Sequence, residues 1–304
     1  MATDLVAAQA ATLAGVIGTM VLAGHLLPSL DWLVTLGIGL IVAAAGMLLF
    51  RQARSGGLAF ALALFIAETG TLVTIRALIA AGTSSRWQYI MPFALVLVPA
   101  LYVTFILTRL RRWRAAGFNR PGQWRALHLI IPLLTTLALP AVGLAAHGVV
   151  PMLGLILTLQ IAFMLIDVFM EEATYRGIIL EALHHYPATM RVLITAVLFG
   201  LSHTDNLFLP GADEIGVLYQ IFEATLVGVL LTAARLRMNT IWPVIAIHAA
   251  YDLMLILAFG HAFPVAPTLG GFIVDTTVNL GLALLGLALV RSRPQALREE
   301  QQAA

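Results

Sequence analysis

The sequence predicts an all-α fold, a polytopic transmembrane helical bundle of about ten spans, and three observations carry that expectation. First, 61% of the 304 residues are hydrophobic and only 11% are charged, against about 25% charged in a typical soluble domain. Mean hydropathy is +0.96. This leaves too little polar material to clothe a water-soluble enzyme, and far too much apolar material for a disordered chain. Second, the apolar runs are long and continuous. A helix needs roughly 20 residues to cross about 30 Å of hydrocarbon, whereas an outer-membrane barrel alternates in segments of about ten. Third, the arginines fall almost entirely into alternate loops.

Read between polar breaks, the candidate spans are residues 5–27, 31–50, 58–81, 90–110, 127–150, 152–183, 188–208, 217–236, 241–260 and 272–290. The first lacks a basic region ahead of it, since Met1 to Asp4 carry no Arg, and reads as a retained span rather than a signal peptide. With the N-terminus inside, the inner segments hold Arg51 and Arg54, the run from Arg109 to Arg125, Arg191, Arg235 with Arg237, and the tail from Arg291. The outer loops hold only Arg86. The positive-inside rule therefore predicts both termini in the cytoplasm and an even number of spans. It leaves the loop 205–216, with Asp205, Asp213 and Glu214, outside. The loop 111–126 interleaves five arginines with Trp113, Phe118 and Trp124. It reads as an ordinary inner loop with aromatic anchors, the other reading being an interfacial segment on anionic lipid.

The chain has no cysteine, which excludes disulfides and iron–sulfur clusters, and all 17 of its basic residues are Arg. A net charge of +2 gives no reason to expect a nucleic-acid partner. The expected partner at this level is the lipid bilayer.

Charges inside spans are expensive, and each one is a functional candidate. They are densest in the sixth span, where DVFMEEATYR supplies Asp167, Glu171, Glu172 and Arg176. Glu172 and Arg176 are four apart and share a helix face, so their pairing lowers the cost of burial. Glu171 lies about 100° around the axis from Glu172 and is left for other work. The seventh span carries FGLSH, with Phe199 and His203 one turn apart. The ninth carries HAAYD, with His248 and Asp252 one turn apart. At 1.5 Å per residue, Glu171, His203, His248 and Asp252 lie ~18, ~22, ~12 and ~18 Å above the inner ends of their helices. Three separate helices thus bring acids and imidazoles to one layer.

Such a set suits hydrolysis. A buried Glu can act as general base on a water, one His can orient that water, and the other can meet a developing oxyanion. The same groups could instead ligate Zn²⁺ through Glu171, His203 and His248. No HExxH or GxSxG is present, and a serine nucleophile would have to be Ser202, poorly placed beside His203. A proton-coupled transporter would use similar residues, but the chain shows no internal repeat and its charges cluster in one half. A non-catalytic scaffold or immunity protein of the same fold is the third reading.

In order and spacing these motifs resemble EExxxR (Glu171, Glu172, Arg176), FxxxH (Phe199, His203) and HxxxN or HxxxD (His248, Asp252) of a known family. It is the CPBP family of intramembrane proteases, also called the type II CAAX prenyl endopeptidase, bacteriocin-processing or abortive-infection family. The resemblance spans roughly residues 127–260 and implies a CAAX-protease-like core with its site sunk in the membrane and open toward the cytoplasm. It further implies Glu171 as the water-activating base, with Glu172 assisting and paired to Arg176. His203 would orient the water or bind a metal, and His248 with Asp252 would stabilise the oxyanion. The family has been described both as metalloproteases and as metal-independent glutamate proteases. Eukaryotic members carry Asn where this chain has Asp252, which cannot donate an N–H when ionised. The Lys-free, Ala- and Leu-rich composition suggests a bacterial inner membrane, where a substrate need not carry a prenyl group.

The chain accordingly divides into residues 1–126 (N-terminal helices and basic loop), 127–260 (protease-like core), 261–290 (last span) and 291–304 (polar cytoplasmic tail). Other polar residues read as structural. Glu68 and Arg76 share the third span but sit eight apart, with Arg76 free to snorkel toward the helix end. Glu223 pairs with Arg235 or another polar group, or lines the cavity. Glu181, His184 and His185 form a solvated end, and His25, His128, His147 and His261 lie near helix termini.

Overall fold

A computed structural model describes residues 31–52, 56–81, 91–119, 130–151, 154–208, 212–259 and 266–291. The expected first span, residues 5–27, and the tail beyond 291 lie outside these residues. Among the described residues the regular structure is helical, with no strand. In chain order the helices are α1 (Asp31–Gln52), α2 (Gly57–Ala81), α3 (Met91–Arg109), α4 (Ile130–Thr135), α5 (Ala138–His147), α6 (Gly154–Glu172), α7 (Ala188–Ser202), α8 (Glu214–Met238), α9 (Trp242–Phe259) and α10 (Leu269–Arg291).

Seven helical stretches are long and apolar enough to cross a bilayer: Trp32–Leu49, Gly57–Leu78, Ile130–His147, Gly154–Ala182, Glu214–Met238, Trp242–Phe259 and Leu269–Arg291. The chain is a multi-pass membrane protein. Two further expected spans are helical but shorter. In α3 the apolar stretch is Val96–Arg109, and Pro99 removes one N–H from its ladder. The seventh expected span ends as an α-helix at Ser202 after 15 residues and tightens into a 3₁₀ turn, His203–Phe208.

Helices α1 and α2 pack along each other, and glycine is what lets them approach. A Cβ on Gly46 would run into the backbone of Ala67, and one on Gly70 into the backbone of Ala43. Lipid tails are as apolar as side chains, so close van der Waals packing at small residues substitutes for a hydrophobic drive between membrane helices. Ile38, Val42, Ile66 and Val73 fill the rest of this seam. Helix α8 lies between α7 and α10, begins on an Asp213 cap that accepts the Gly216 N–H at 3.1 Å, and ends at Asn239 in the left-handed region. The largest buried cluster joins Phe60 and Leu64 of α2, Val103 and Leu107 of α3, Tyr175 and Ile179 beyond α6, and Phe199 of α7. It packs the N-terminal helices directly behind the motif-bearing ones.

The loop after α3 is built into this core. Ala116 is fully buried in it, and Trp113 and Phe118 pack against it. The Phe118 ring lies 4.9 Å from Trp113, 5.9 Å from Phe169 and 5.5 Å from Trp242. Gly117, at φ +95°, sits against the Arg235 guanidinium where a Cβ would collide. Arg235 donates to the Ala115 carbonyl at 2.9 Å, and the Ile241 N–H donates to the Gly117 carbonyl at 2.9 Å. Over residues 111–119 the aromatics thus face protein and clip the loop onto the α8–α9 junction. Residues 120–126, with Trp124, lie outside the described part.

Candidate active site

The site starts where the winding of α6 changes. After Glu172 the chain makes seven π-helical residues, Ala173–Ile179, before a last α-turn to Ala182. Each hydrogen-bonded ring of a π-turn holds one residue more than an α-turn, and such turns gather at functional sites. All seven residues are buried. Two side-chain contacts anchor the segment: the Thr174 hydroxyl donates to Glu68 Oε1 of α2 at 3.1 Å, and Arg176 Nη1 donates to Glu172 Oε1 at 2.9 Å.

Glu172 and Arg176 have fully buried side chains. Isolated, either charge would be very costly at this depth; paired and hydrogen-bonded, the two compensate each other. Phe199 completes the pair. Its ring centroid lies 3.7 Å from Arg176 Cζ, a cation–π contact of about 2 kcal/mol when desolvated. The aromatic of the FxxxH motif is therefore the cover of the arginine of EExxxR.

His248 of α9 closes the group. Its Nδ1 donates to Glu172 Oε1 at 2.8 Å. A carboxylate held by Arg176 can only accept, so the Nδ1 hydrogen belongs to His248. Nε2 faces two further carboxylates, Glu171 Oε2 at 3.6 Å and Asp252 Oδ2 at 3.7 Å. These separations are too long for direct hydrogen bonds. The side chains of Glu171, His248 and Asp252 are 18%, 12% and 22% exposed, while Glu172 and Arg176 are at 0%. Adjacent glutamates thus occupy different environments: Glu172 is sealed into the framework, and Glu171 is open to an incoming molecule.

His203 stands one step away. The Phe199 ring lies 5.1 Å from the His203 ring and 6.0 Å from the His248 ring, edge-on to both. His203 Nδ1 pairs with the Phe199 carbonyl at 3.0 Å. A carbonyl accepts, so Nδ1 carries the hydrogen and Nε2 remains available. Ser202 turns its hydroxyl onto the same carbonyl at 2.6 Å and lies 3.5 Å from His203 Nδ1, an arrangement that engages it structurally rather than as a nucleophile. Glu171, Glu172, Arg176, Phe199, His248 and Asp252 are brought together, and His203 joins them through Phe199.

Both histidines hold Nδ1 on an acceptor, which leaves Nε2 for a ligand. Among the described residues, however, no three His, Asp or Glu side chains are gathered as ligands for one metal ion. Glu171, His203 and His248 therefore do not fit a zinc site as arranged.

Residues 153–254 match the family model for Type II CAAX prenyl endopeptidase Rce1-like proteins. Over that segment, about a third of the chain, the sequence is similar to the Rce1-like family. The match covers α6, α7, α8 and most of α9, every helix that carries a motif residue. No curated protein and no solved structure matches the chain. The Rce1-like segment does not contain everything that touches the site, since Glu68 and Arg76 come from α2.

Glu68 plays the structural part expected of it, bonded to Thr174, while Arg76 departs from the snorkelling expected of it. Arg76 does not snorkel: it is buried, and its guanidinium meets Asp205 at 2.7–2.8 Å and Asn206 Oδ1 at 2.7 Å. Asp205, expected in an outer loop, is itself buried in the 3₁₀ turn. The available signal was the cost of an unpaired arginine in a span, which demands an acid somewhere, but the partner lies 129 residues away. Glu223 pairs neither with Arg235 nor into the site. It accepts from Thr276 at 2.9 Å and from Asn279, both on α10. Glu181 meets Arg112 at 3.3 Å, and the His147 ring lies 5.1 Å from Phe259. His25, His128 and His261 lie outside the described residues.

Proposed function

We propose that this protein is an intramembrane endopeptidase that hydrolyses peptide bonds of membrane-associated proteins or peptides with a water activated by Glu171. The observation that carries the reading is the division of labour around His248. Glu172 and Arg176 hold Nδ1, and the partly exposed Glu171 and Asp252 flank Nε2. A general base needs access and a free lone pair, and of the two glutamates only Glu171 has both.

In this mechanism Glu171 takes a proton from water as the oxygen attacks the scissile carbonyl. The C–O bond forms and the carbonyl π electrons move to oxygen. Protonated His248 donates from Nε2 to that oxyanion, with its Nδ1–H still held by Glu172. His203 Nε2 orients the water. Glu171 then gives its proton to the leaving nitrogen as the C–N bond breaks. Asp252 serves by fixing and charging His248 rather than as a donor of its own, which accommodates Asp at a position where eukaryotic members of the family carry Asn. The site faces the cytoplasmic side of an inner membrane, with both termini inside.

The test is cleavage of a quenched membrane-peptide library by the purified protein in nanodiscs. Wild type is expected to cleave and Glu171→Gln to lose roughly 10²–10⁴-fold in rate with its helicity and thermal melting unchanged. Chelator treatment is expected to leave the wild-type rate intact. Normal cleavage by Glu171→Gln would overturn the assignment of the base, and loss under chelator alone would transfer water activation to a metal.

A further inference from the structure

Two buried polar side chains of α2 reach the machinery from outside the Rce1-like segment. Glu68 accepts the Thr174 hydroxyl at 3.1 Å, inside the π-helical turn that follows Glu171 and Glu172. Arg76 holds Asp205 and Asn206 in the 3₁₀ turn that starts at His203. The second contact extends further, because Asn206 donates to Gln220 Oε1 of α8 at 2.7 Å. Eight residues of α-helix separate Glu68 from Arg76, about 12 Å along a stiff axis. One rigid element is thus fixed at one end to the helix carrying the glutamates and at the other to the turn carrying a histidine.

The geometry points to α2 as a brace of the catalytic site, with Glu68 and Arg76 as positioning residues that set the placement of His203 relative to Glu171. The catalytic part of this inference rests on the peptidase reading; the brace itself does not. Neither residue touches the reacting groups, so each acts through Thr174 or Asp205. The arrangement explains why a buried arginine and a buried glutamate are retained in a span where apolar residues would insert more readily. A hydrolytic site tolerates little drift, since a misplacement of about 1 Å can cost 10²-fold in rate. The motif helices have no direct side-chain bond joining Glu171 to His203 among the described contacts. A frame that holds both from behind supplies the missing constraint.

The absence of cysteine makes the test direct. Nitroxides on Leu165→Cys of α6 and Leu201→Cys of α7, both lipid-exposed positions, report the distance between the two motif helices in nanodiscs by pulsed electron resonance. The unmodified background should give one narrow distribution. Arg76→Gln should broaden or shift it, and the exchange Arg76→Asp with Asp205→Arg should restore it. Glu68→Leu should act as Arg76→Gln does, while Glu68→Gln, which keeps an acceptor for Thr174, should not. On a cleavable peptide, Arg76→Gln should lower kcat about 10²-fold with KM unchanged. A folded Arg76→Gln with the unaltered distribution overturns the brace. Should the single variants fail to insert, recovery of insertion and of the narrow distribution by the exchanged pair upholds it, and failure of that pair overturns it. Absence of cleavage by wild type would sink the peptidase reading alone, because the label distances decide the brace without any substrate.

Discussion

Two of the polar clusters among the described residues, one around His248 and one between α8 and α10, are built on opposite plans. Around His248, three carboxylates share one histidine and one arginine, with Phe199 laid over the guanidinium. Between α8 and α10, Glu223 accepts from Thr276 and Asn279, and the Tyr219 hydroxyl donates to Asp275 at 3.1 Å. The second cluster uses neutral donors, each acid is matched to its own, and the result is a clasp between two helices. The first matches charge with charge and still leaves Glu171 and Asp252 without a short bond to Nε2. The contrast separates a set of acids that is finished from one that still has bonds to offer, and the density of acids alone does not make that distinction.

The comparison can be broken in several ways. The largest expected effect is at Arg176. Arg176→Met removes the guanidinium bonded to Glu172 and leaves that fully buried carboxylate with His248 alone, at a cost of about 3–5 kcal/mol. Thermal melting in nanodiscs should drop sharply or the protein should fail to accumulate; a variant as stable as wild type would show that Glu172 does not depend on its partner. Next comes Asn279→Ala, which takes a donor from Glu223 and should cost about 1–3 kcal/mol. Its cleavage rate at a temperature where it is folded should equal that of wild type. A selective loss of rate would place the α8–α10 cluster in the machinery and erase the distinction.

The smallest effect belongs to a carboxylate outside the spans, a reference for what an acid does in water. The Ala266 N–H, and then the Gly216 N–H, hold the Asp213 carboxyl below its ordinary value of 3.8. A depressed value means stability that is present above the unfolded value and lost as pH falls through the folded one. Asp213→Asn should therefore melt slightly below wild type near neutrality, and the gap should close as pH falls below 3.8. A gap independent of pH would assign the effect to side-chain shape rather than to charge.

How much of this was legible in the sequence depended on the range of the interaction. Glu172–Arg176 and His248–Asp252 are one-turn spacings, and the helical period places such residues on a common face. The convergence of three helices followed from helix rise and span boundaries alone. The partner of Arg76 was not legible, because Asp205 sits in a stretch whose charges look like an outer loop and nothing local ties the two together. The inward turn of Trp113 and Phe118 was hidden for a related reason: interleaved arginines and aromatics describe a membrane interface as well as they describe a clipped loop. The shortening of the seventh span depends on the 3₁₀ turn at His203, held by Asp205 and Asn206 through a contact from α2. The π-turn was also illegible, since ATYRGII has no local signature that separates it from an α-helix and its winding is anchored by Glu68 and Glu172.

That turn has a consequence for how the protein tolerates change. Because its rings are wider, residues beyond Ile179 are rotated out of step with those before Ala173. A helical wheel drawn through the whole span Gly154–Ala182 assigns the wrong azimuth to one end or the other. A substitution scan along it should show a regular alternation of sensitive and indifferent positions that slips phase between residues 173 and 179. Any alignment that adds or removes a single residue there would shift the azimuth of everything downstream while leaving the motif's letters in place.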